Sequence, residues 1–375
     1  MSVSNHKGCR VTAPTTSGIP ATRTFRTRIV RTLARQRGLA DVGVAVLVPA
    51  SAAVFGLALG DAVPGRAGAP TFSGGRWALL AVVLGLLVAT VAGRRWIYRG
   101  TGTLFSVSFL DETMPDYHEQ AQADAERRHM AVQVLGRRVD VLGRECDRVV
   151  DVVQPRQELS RTLEEAINQD RDDTGYAVAP NVLWPAALAV GASLTRTDRM
   201  RFLEYDKTTT TEFELRDKAA ERVSVRTDPD HIVSEPTGNR RGVLLSFTSA
   251  ASTFDLDRRC AEFGISALAR FGLPTQLQGR RLSGPELGRL ADDLAGQLAD
   301  IKHTTSDREL VVVAFVPKTV ALLTGWYLSR FVSHQQVRFF TRTYLMHHVL
   351  SEDRFVALRV HPSQPATFPT PTSEV

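Results

Sequence analysis

Two apolar runs, Leu39–Gly60 and Trp77–Gly93, lie close together early in the chain; the first carries one charge, Asp41, and the second none. A helix crossing a hydrocarbon core needs about 20 apolar residues, or about 17 at the shortest. The spacing therefore predicts a transmembrane hairpin. Its turn, Asp61–Arg76, is built largely from Gly, Pro and Ala and leaves no room for an outer domain. Arg23, Arg26, Arg28, Arg31, Arg35 and Arg37 precede the first run and Arg94, Arg95 and Arg99 follow the second, against Arg66 and Arg76 in the turn. Basic residues are enriched on the cytoplasmic side, so both ends are expected there, in a multi-pass protein of the cell membrane. Trp77, Trp96 and Tyr98 stand at the ends of the second run, where amphipathic rings favour the headgroup layer. A cleaved signal peptide does not fit, because the basic leader is too long and a second apolar run follows within one turn.

The formal net charge of +6 would ordinarily raise nucleic acid as a partner. Here much of the excess is the arginine leader and the residues flanking the hairpin, which membrane topology and anionic lipid explain more simply. Cys9, Cys146 and Cys260 stand apart, without paired spacing, so neither a zinc site nor a disulfide framework is expected. The preference for Arg over Lys, with abundant Ala, Val and Gly, has the composition of a high-GC bacterial genome.

In order, residues 1–38 are expected as a basic, largely disordered leader, 39–95 as the hairpin, 96–130 as a juxtamembrane neck, 131–362 as a folded α/β domain and 363–375 as a flexible tail. In the neck, Thr103–Leu110 has strand character and a polar helix is expected up to about Met130. Its Asp111, Glu112, Asp116, His118, Glu119 and His129 match no ligand spacing, so no metal is expected. Further strands are expected at Ala131–Leu135, Val149–Val153, Tyr176–Asn181, Arg201–Tyr205, Gly242–Ser249 and Leu310–Val316, and helices at Leu159–Ile167 and Trp184–Leu194. Ser283 and Glu286 form a capping-box pattern ahead of Leu287, Leu290, Leu294, Leu298 and Ile301 at helical spacing.

One correspondence organises this domain. Trp184–Leu194 and Pro317–Leu328 are both apolar helices that follow a Pro-containing loop, and when Gly191 is set on Gly325, Leu188 falls on Leu322 and Leu194 on Leu328. An Arg-Phe strand is expected after each, at Arg201-Phe202 and at Arg338-Phe339. We read an internal duplication of strand–helix–strand units, hence two fused Rossmann-like halves. A glycine costs a helix interior roughly 1 kcal/mol against alanine, so close packing of helix on sheet is its expected use.

Open parallel sheets bind ligands beyond the carboxyl ends of their strands. The residues there are Pro180, Asn181 and Trp184 in one half and Ser246, Thr248, Ser249, Lys318 and Thr319 in the other. Hydroxyls, backbone amides and helix N-termini accept phosphate, Lys318 supplies charge, and Trp184 either stacks on a base or packs the helix start. No Gly-rich dinucleotide fingerprint, P-loop, nucleophile elbow or His-Glu-x-x-His run occurs, so no cofactor and no catalytic residue is expected.

Residues Ala179-Pro180-Asn181-Val182-Leu183-Trp184-Pro185-Ala186-Ala187-Leu188-Ala189-Val190-Gly191, the strand Val243–Phe247 and Val312–Leu328 resemble a SAVED domain. With the hairpin in front, the chain is similar to the two-transmembrane SAVED effectors of bacterial CBASS antiphage systems. Trp326-Tyr327 and Pro317-Lys318-Thr319 depart from the family pattern. The resemblance implies two CARF-like halves that bind a cyclic oligonucleotide, commonly a trinucleotide, made by a partner cyclic-oligonucleotide synthase. It also implies oligomerisation on binding and damage to the inner membrane. Ala52, Gly56 and Gly60, and likewise Gly85, Ala89 and Gly93, give small-xxx-small faces that suit either packing within one hairpin or assembly of several in lipid. Two alternatives share the architecture: a membrane-tethered enzyme acting on a nucleotide or sugar phosphate through Glu204, Asp206, His231 or His347-His348, and a CRISPR-linked membrane sensor of cyclic oligoadenylate.

Overall fold

The computed structural model describes residues 74–99 and, with short gaps, 102–369, together with positions 48, 49 and 52. The first apolar run, the leader and the extreme C-terminus otherwise lie outside the described residues. Two compact units divide the chain: residues 1–102 with 128–131, and residues 103–127 with 132–375.

In the first unit the second apolar run forms helix α1, Gly74–Arg99. Val82, Leu84, Leu86, Val88 and Val91 are all exposed on it. Thr90 Oγ1 donates to the Leu86 carbonyl at 2.7 Å, the usual way a helix hides a hydroxyl. Nothing stands within 4 Å of where a Cβ would lie on Gly85 or Gly93. Among the described residues no helix is long and apolar enough to cross a membrane. The side chains of α1 are described at Ala78 and over residues 81–93, a stretch of roughly 20 Å at 1.5 Å per residue.

The second unit holds two mixed sheets. Strands β1 (Thr103–Asp111), β2 (Ala131–Val139), β3 (Glu145–Cys146), β4 (Val149–Asp151), β5 (Tyr176–Val182), β6 (Met200–Tyr205) and β7 (Thr210–Glu214) precede β8 (Arg226–Ile232), β9 (Arg240–Ser246), β10 (Ile265–Gly272), β11 (Leu310–Phe315), β12 (Thr343–Val349) and β13 (Arg354–Arg359). The first sheet runs β2-β1-β5-β6-β7 and the second β3-β4-β13-β12-β11-β9-β10-β8. Helices α2 (His118–Arg127), α3 (Val153–Gln169), α4 (Trp184–Ser193), α5 (Leu256–Phe263), α6 (Gly284–Thr304), α7 (Lys318–Arg330) and α8 (Gln335–Phe340) complete it.

The duplication is visible in this order. β1, β5 and β6 are parallel neighbours and β7 closes them antiparallel; β9, β11 and β12 repeat the arrangement and β13 closes them antiparallel. α4 follows β5 as α7 follows β11. β1 is thus the counterpart of β9, so the segment read as a juxtamembrane neck supplies a central strand, its residues 104–111 all buried.

At these glycines the two equivalent helices meet each other and not a sheet. A Cβ on Gly191 would stand 1.7 Å from the Leu322 carbonyl oxygen, and one on Gly325 would stand 1.9 Å from that of Leu188. Because Gly191 corresponds to Gly325 and Leu188 to Leu322, each contact is the image of the other across a local pseudo-twofold. The expected helix-on-sheet use of these glycines is therefore corrected: they allow two backbones to meet, a geometry that also favours Cα–H···O contacts.

Other expectations are met or revised locally. At the start of α6 the Ser283 amide donates to the Glu286 carboxylate at 2.7 Å, completing the capping box read from the sequence. Arg338-Phe339 lies in α8, not in a strand; β12 begins only after Arg342, whose φ of 55° breaks the run, while Phe339 and Phe340 are buried. The tail expected to be flexible from residue 363 is docked through its first residues. Gln364 accepts from the Val360 and His361 amides at 2.7 and 2.8 Å and donates to the Thr343 carbonyl at 3.0 Å. Phe368 joins an aromatic cluster with Phe263 and Tyr344. One proline-rich segment thus keeps two buried anchors.

Candidate functional site

The expected crevice falls where β1, β5 and β6 end and α7 begins. Parallel pairing of β1 with β5 brings Ser108 level with Asn181, and pairing of β5 with β6 carries the chain on to Glu204 near the end of β6. The backbone between β1 and α2 folds over this edge: the Pro115 carbonyl accepts from Asn181 Nδ2 at 3.2 Å. Into the same place comes the first turn of α7 from the second half. Lys318 Nζ donates to Asn181 Oδ1 and lies 4.6 Å from the centroid of the Tyr117 ring. The halves therefore share this contact.

Glu204 caps α7. Its Oε1 accepts from the Lys318 amide at 3.3 Å, and its Oε2 accepts from the Thr319 amide at 2.7 Å and from the Thr319 hydroxyl. A helix start has four unpaired N–H groups and the positive end of the macrodipole, so a carboxylate is well placed there. Burial raises the Glu204 carboxyl above its usual range, against the hydrogen bonds from Thr319 and the charge of Lys318. Burial likewise lowers Lys318, against Glu204 and Asp116. The pair sits in a setting that resists charge on both partners.

Of the eight residues expected to line the site, Asn181, Lys318 and Thr319 meet. The amides of Lys318 and Thr319, expected to hold phosphate, are instead engaged by Glu204. Pro180 is buried in β5 opposite Val107. Trp184 packs the helix start: its Nε1 donates to the Met346 carbonyl at 3.1 Å, and the cavity beside it measures only about 10 Å³. That is too small for a base, so of its two readings the structure favours packing. Ser246 ends β9 level with Phe315, and Thr248 is exposed beyond it; among the described contacts neither reaches Lys318. Ser249 lies outside the described residues.

Tyr117, Asp116 and Glu204 complete the cluster. Sequence pattern placed Asp116 in the neck and Glu204 among scattered acids. The partners of Glu204 are more than a hundred residues away in the chain, so only the duplication, which puts α7 beside β6, gave any sign of it. Nearby, His347 is 7% exposed, and burial pushes its imidazole down to about 4 despite Asp111. Among the described residues no group of His, Cys, Asp or Glu side chains is arranged to hold a metal ion.

No protein-family profile matches the chain, and no curated protein matches it. Solved structures do. The chain is similar to the Acinetobacter baumannii Cap4 SAVED/CARF-domain containing receptor with the cyclic trinucleotide 2'3'3'-cAAA, at 11% identity and a TM-score of 0.39, covering 74% of this chain and 55% of that one. It is also similar to the Moraxella osloensis Cap4 SAVED/CARF-domain containing receptor, at 7% identity and a TM-score of 0.37, covering 74% and 54%. The chain spans about half the length of the solved structures it matches.

Proposed function

We propose that this protein is a membrane-embedded sensor and effector without catalysis. A cyclic oligonucleotide binds in the crevice between the duplicated halves, the protein assembles, and clustered hairpins breach the bacterial inner membrane. The observation that carries the reading is the contact of Lys318 with Asn181 and Tyr117. It sets a cation, an amide and an aromatic face from both halves at one strand edge, which is chemistry suited to a phosphodiester and a base. The SAVED resemblance of residues 179–191 and 312–328 supports the same ligand class, and the exposed apolar side chains of α1 support a membrane partner. A ligand phosphate on Lys318 would loosen its hold on Asn181 and so change how the halves meet.

The enzymatic alternative is less well supported. Asp116 and Glu204 are the acids of the cluster, and Glu204 spends three acceptor positions on the first turn of α7, which marks it as a helix cap.

Equilibrium titration of the full chain in detergent with cyclic di- and trinucleotides tests the proposal. One member should bind, and Lys318→Glu should weaken it by about tenfold or more, as loss of one charge-assisted contact implies. Equal affinity in the variant would remove Lys318 from the site. Turnover of the ligand would overturn the non-catalytic reading.

A further inference from the structure

A cavity of about 420 Å³ lies between the end of α6, the end of α7 and the α8–β12 turn. Its walls carry Lys302, His303, Arg338 and Arg342, with Leu328 and Phe339 as apolar surface and no carboxylate among the described lining residues. The crevice lies at the start of α7, and this cavity takes Leu328 from near its end. The 13-residue helix is roughly 20 Å long, so the two places are separate.

Part of this charge has a local explanation. Lys302 and His303 occupy the last turn of α6, where cations favour the helix dipole, and Lys302 Nζ donates to the Thr341 carbonyl at 2.5 Å. Arg338 stands likewise in the last turn of α8, whereas Arg342 lies beyond that helix; both are exposed, and Arg342 spends one donor on the Asp307 carbonyl at 3.3 Å. Gathering three cationic side chains, Lys302, Arg338 and Arg342, around one hollow costs mutual repulsion unless an anion enters. Lys302 shows that cost, being lowered to about 8 by burial and by the charge of Arg342.

We propose that this cavity is a binding site for a phosphate-bearing molecule of nucleotide size, its phosphate held by Lys302, Arg338 and Arg342 and its apolar part resting on Leu328 and Phe339. The volume falls within the range of small-molecule sites, and guanidinium forks suit phosphate oxygens. The site is distinct from the crevice and stands whether or not the crevice binds a cyclic oligonucleotide.

The test uses the full chain in detergent, titrated with pyrophosphate, ATP and the soluble lipid dihexanoylphosphatidic acid. At least one should bind, and Arg338→Glu with Arg342→Glu should weaken it by about 10- to 100-fold, as expected when charge-assisted bonds are lost. Saturating cyclic trinucleotide should not displace the bound molecule, which separates this cavity from the crevice. Should the charge reversal impair folding, Arg338→Gln with Arg342→Gln, checked by its melting curve, must still weaken binding. Preference for ATP assigns a free nucleotide, and preference for the lipid assigns a headgroup. No binding by any of the three, or equal binding by the double variants, overturns the proposal.

Discussion

Replacing Gly191 with alanine would put a methyl group 1.7 Å from the Leu322 carbonyl oxygen, where ordinary contact begins near 3.4 Å. The obstacle is backbone, so no side-chain rotation relieves it, and α4 and α7 must separate by roughly 1.5 Å. A radial gap of 0.5–1 Å already forfeits about a quarter to a half of the dispersion between facing atoms, and overpacking costs about 1–3 kcal/mol, sometimes more. Helix propensity works the other way, favouring alanine by about 1 kcal/mol. With the steric cost near or above the top of that range, a net loss of about 2 kcal/mol is expected, which lowers Tm by about 4–8 °C in a domain of this size. Gly325→Ala should behave alike, since its Cβ would lie 1.9 Å from the Leu188 carbonyl oxygen. The double variant should cost less than the sum, because one separation relieves both clashes. Gly296, inside α6 with nothing within 4 Å, is the control: there alanine should stabilise by about 1 kcal/mol. Thermal melts of the four variants in detergent read all of this. A Tm for Gly191→Ala equal to or above that of the parent would refute the reciprocal backbone contact, as would strict additivity in the pair.

Glu204→Ala should cost about 1–3 kcal/mol by stripping the acceptor from the Lys318 and Thr319 amides, measured by urea unfolding. Gln364→Ala should cost a similar amount, since it abandons the Val360 amide and the Thr343 carbonyl in the interior; an unchanged midpoint would mean the tail is not anchored there. His347 gives a pH signature. Its folded-state pKa of about 4 lies below the ordinary imidazole value of 6.5, so the unfolded chain takes up the proton first as pH falls. The associated stability is fully present above about pH 6.5 and lost down to about pH 4, up to roughly 3 kcal/mol at 1.36 per unit. His347→Asn should flatten that part of the stability–pH curve, and an unaltered slope would contradict the burial argument.

Much of the architecture is legible because buried parallel strands are largely continuous apolar runs: Leu310–Phe315 and Tyr176–Pro180 announce themselves without partners. The Gly191–Gly325 correspondence was legible too, although its use in helix-on-helix packing was not, since sequence records that a Cβ is missing and not what approaches. Strands with weak patterns escaped. β8, Arg226–Ile232, contains Asp228-Pro229-Asp230 and is mostly uncovered, as an edge strand can be. β1 was recognised as a strand but assigned to the neck, because its neighbour in the sheet, β5, lies some seventy residues later. The site followed the same rule. Lys318, Thr319 and Asn181 were readable as residues at strand ends, whereas Glu204 as the cap of α7 depends on contact between halves.

The central claim is that ligand binding in the crevice is coupled to assembly. Calorimetric titration of the full chain in detergent against cyclic di- and trinucleotides, with light scattering on the same samples, tests it most directly. Saturable binding of one member with a rise in particle mass, both lost in Lys318→Glu, is the result predicted. No binding across the panel, or binding with no change in mass, would contradict it.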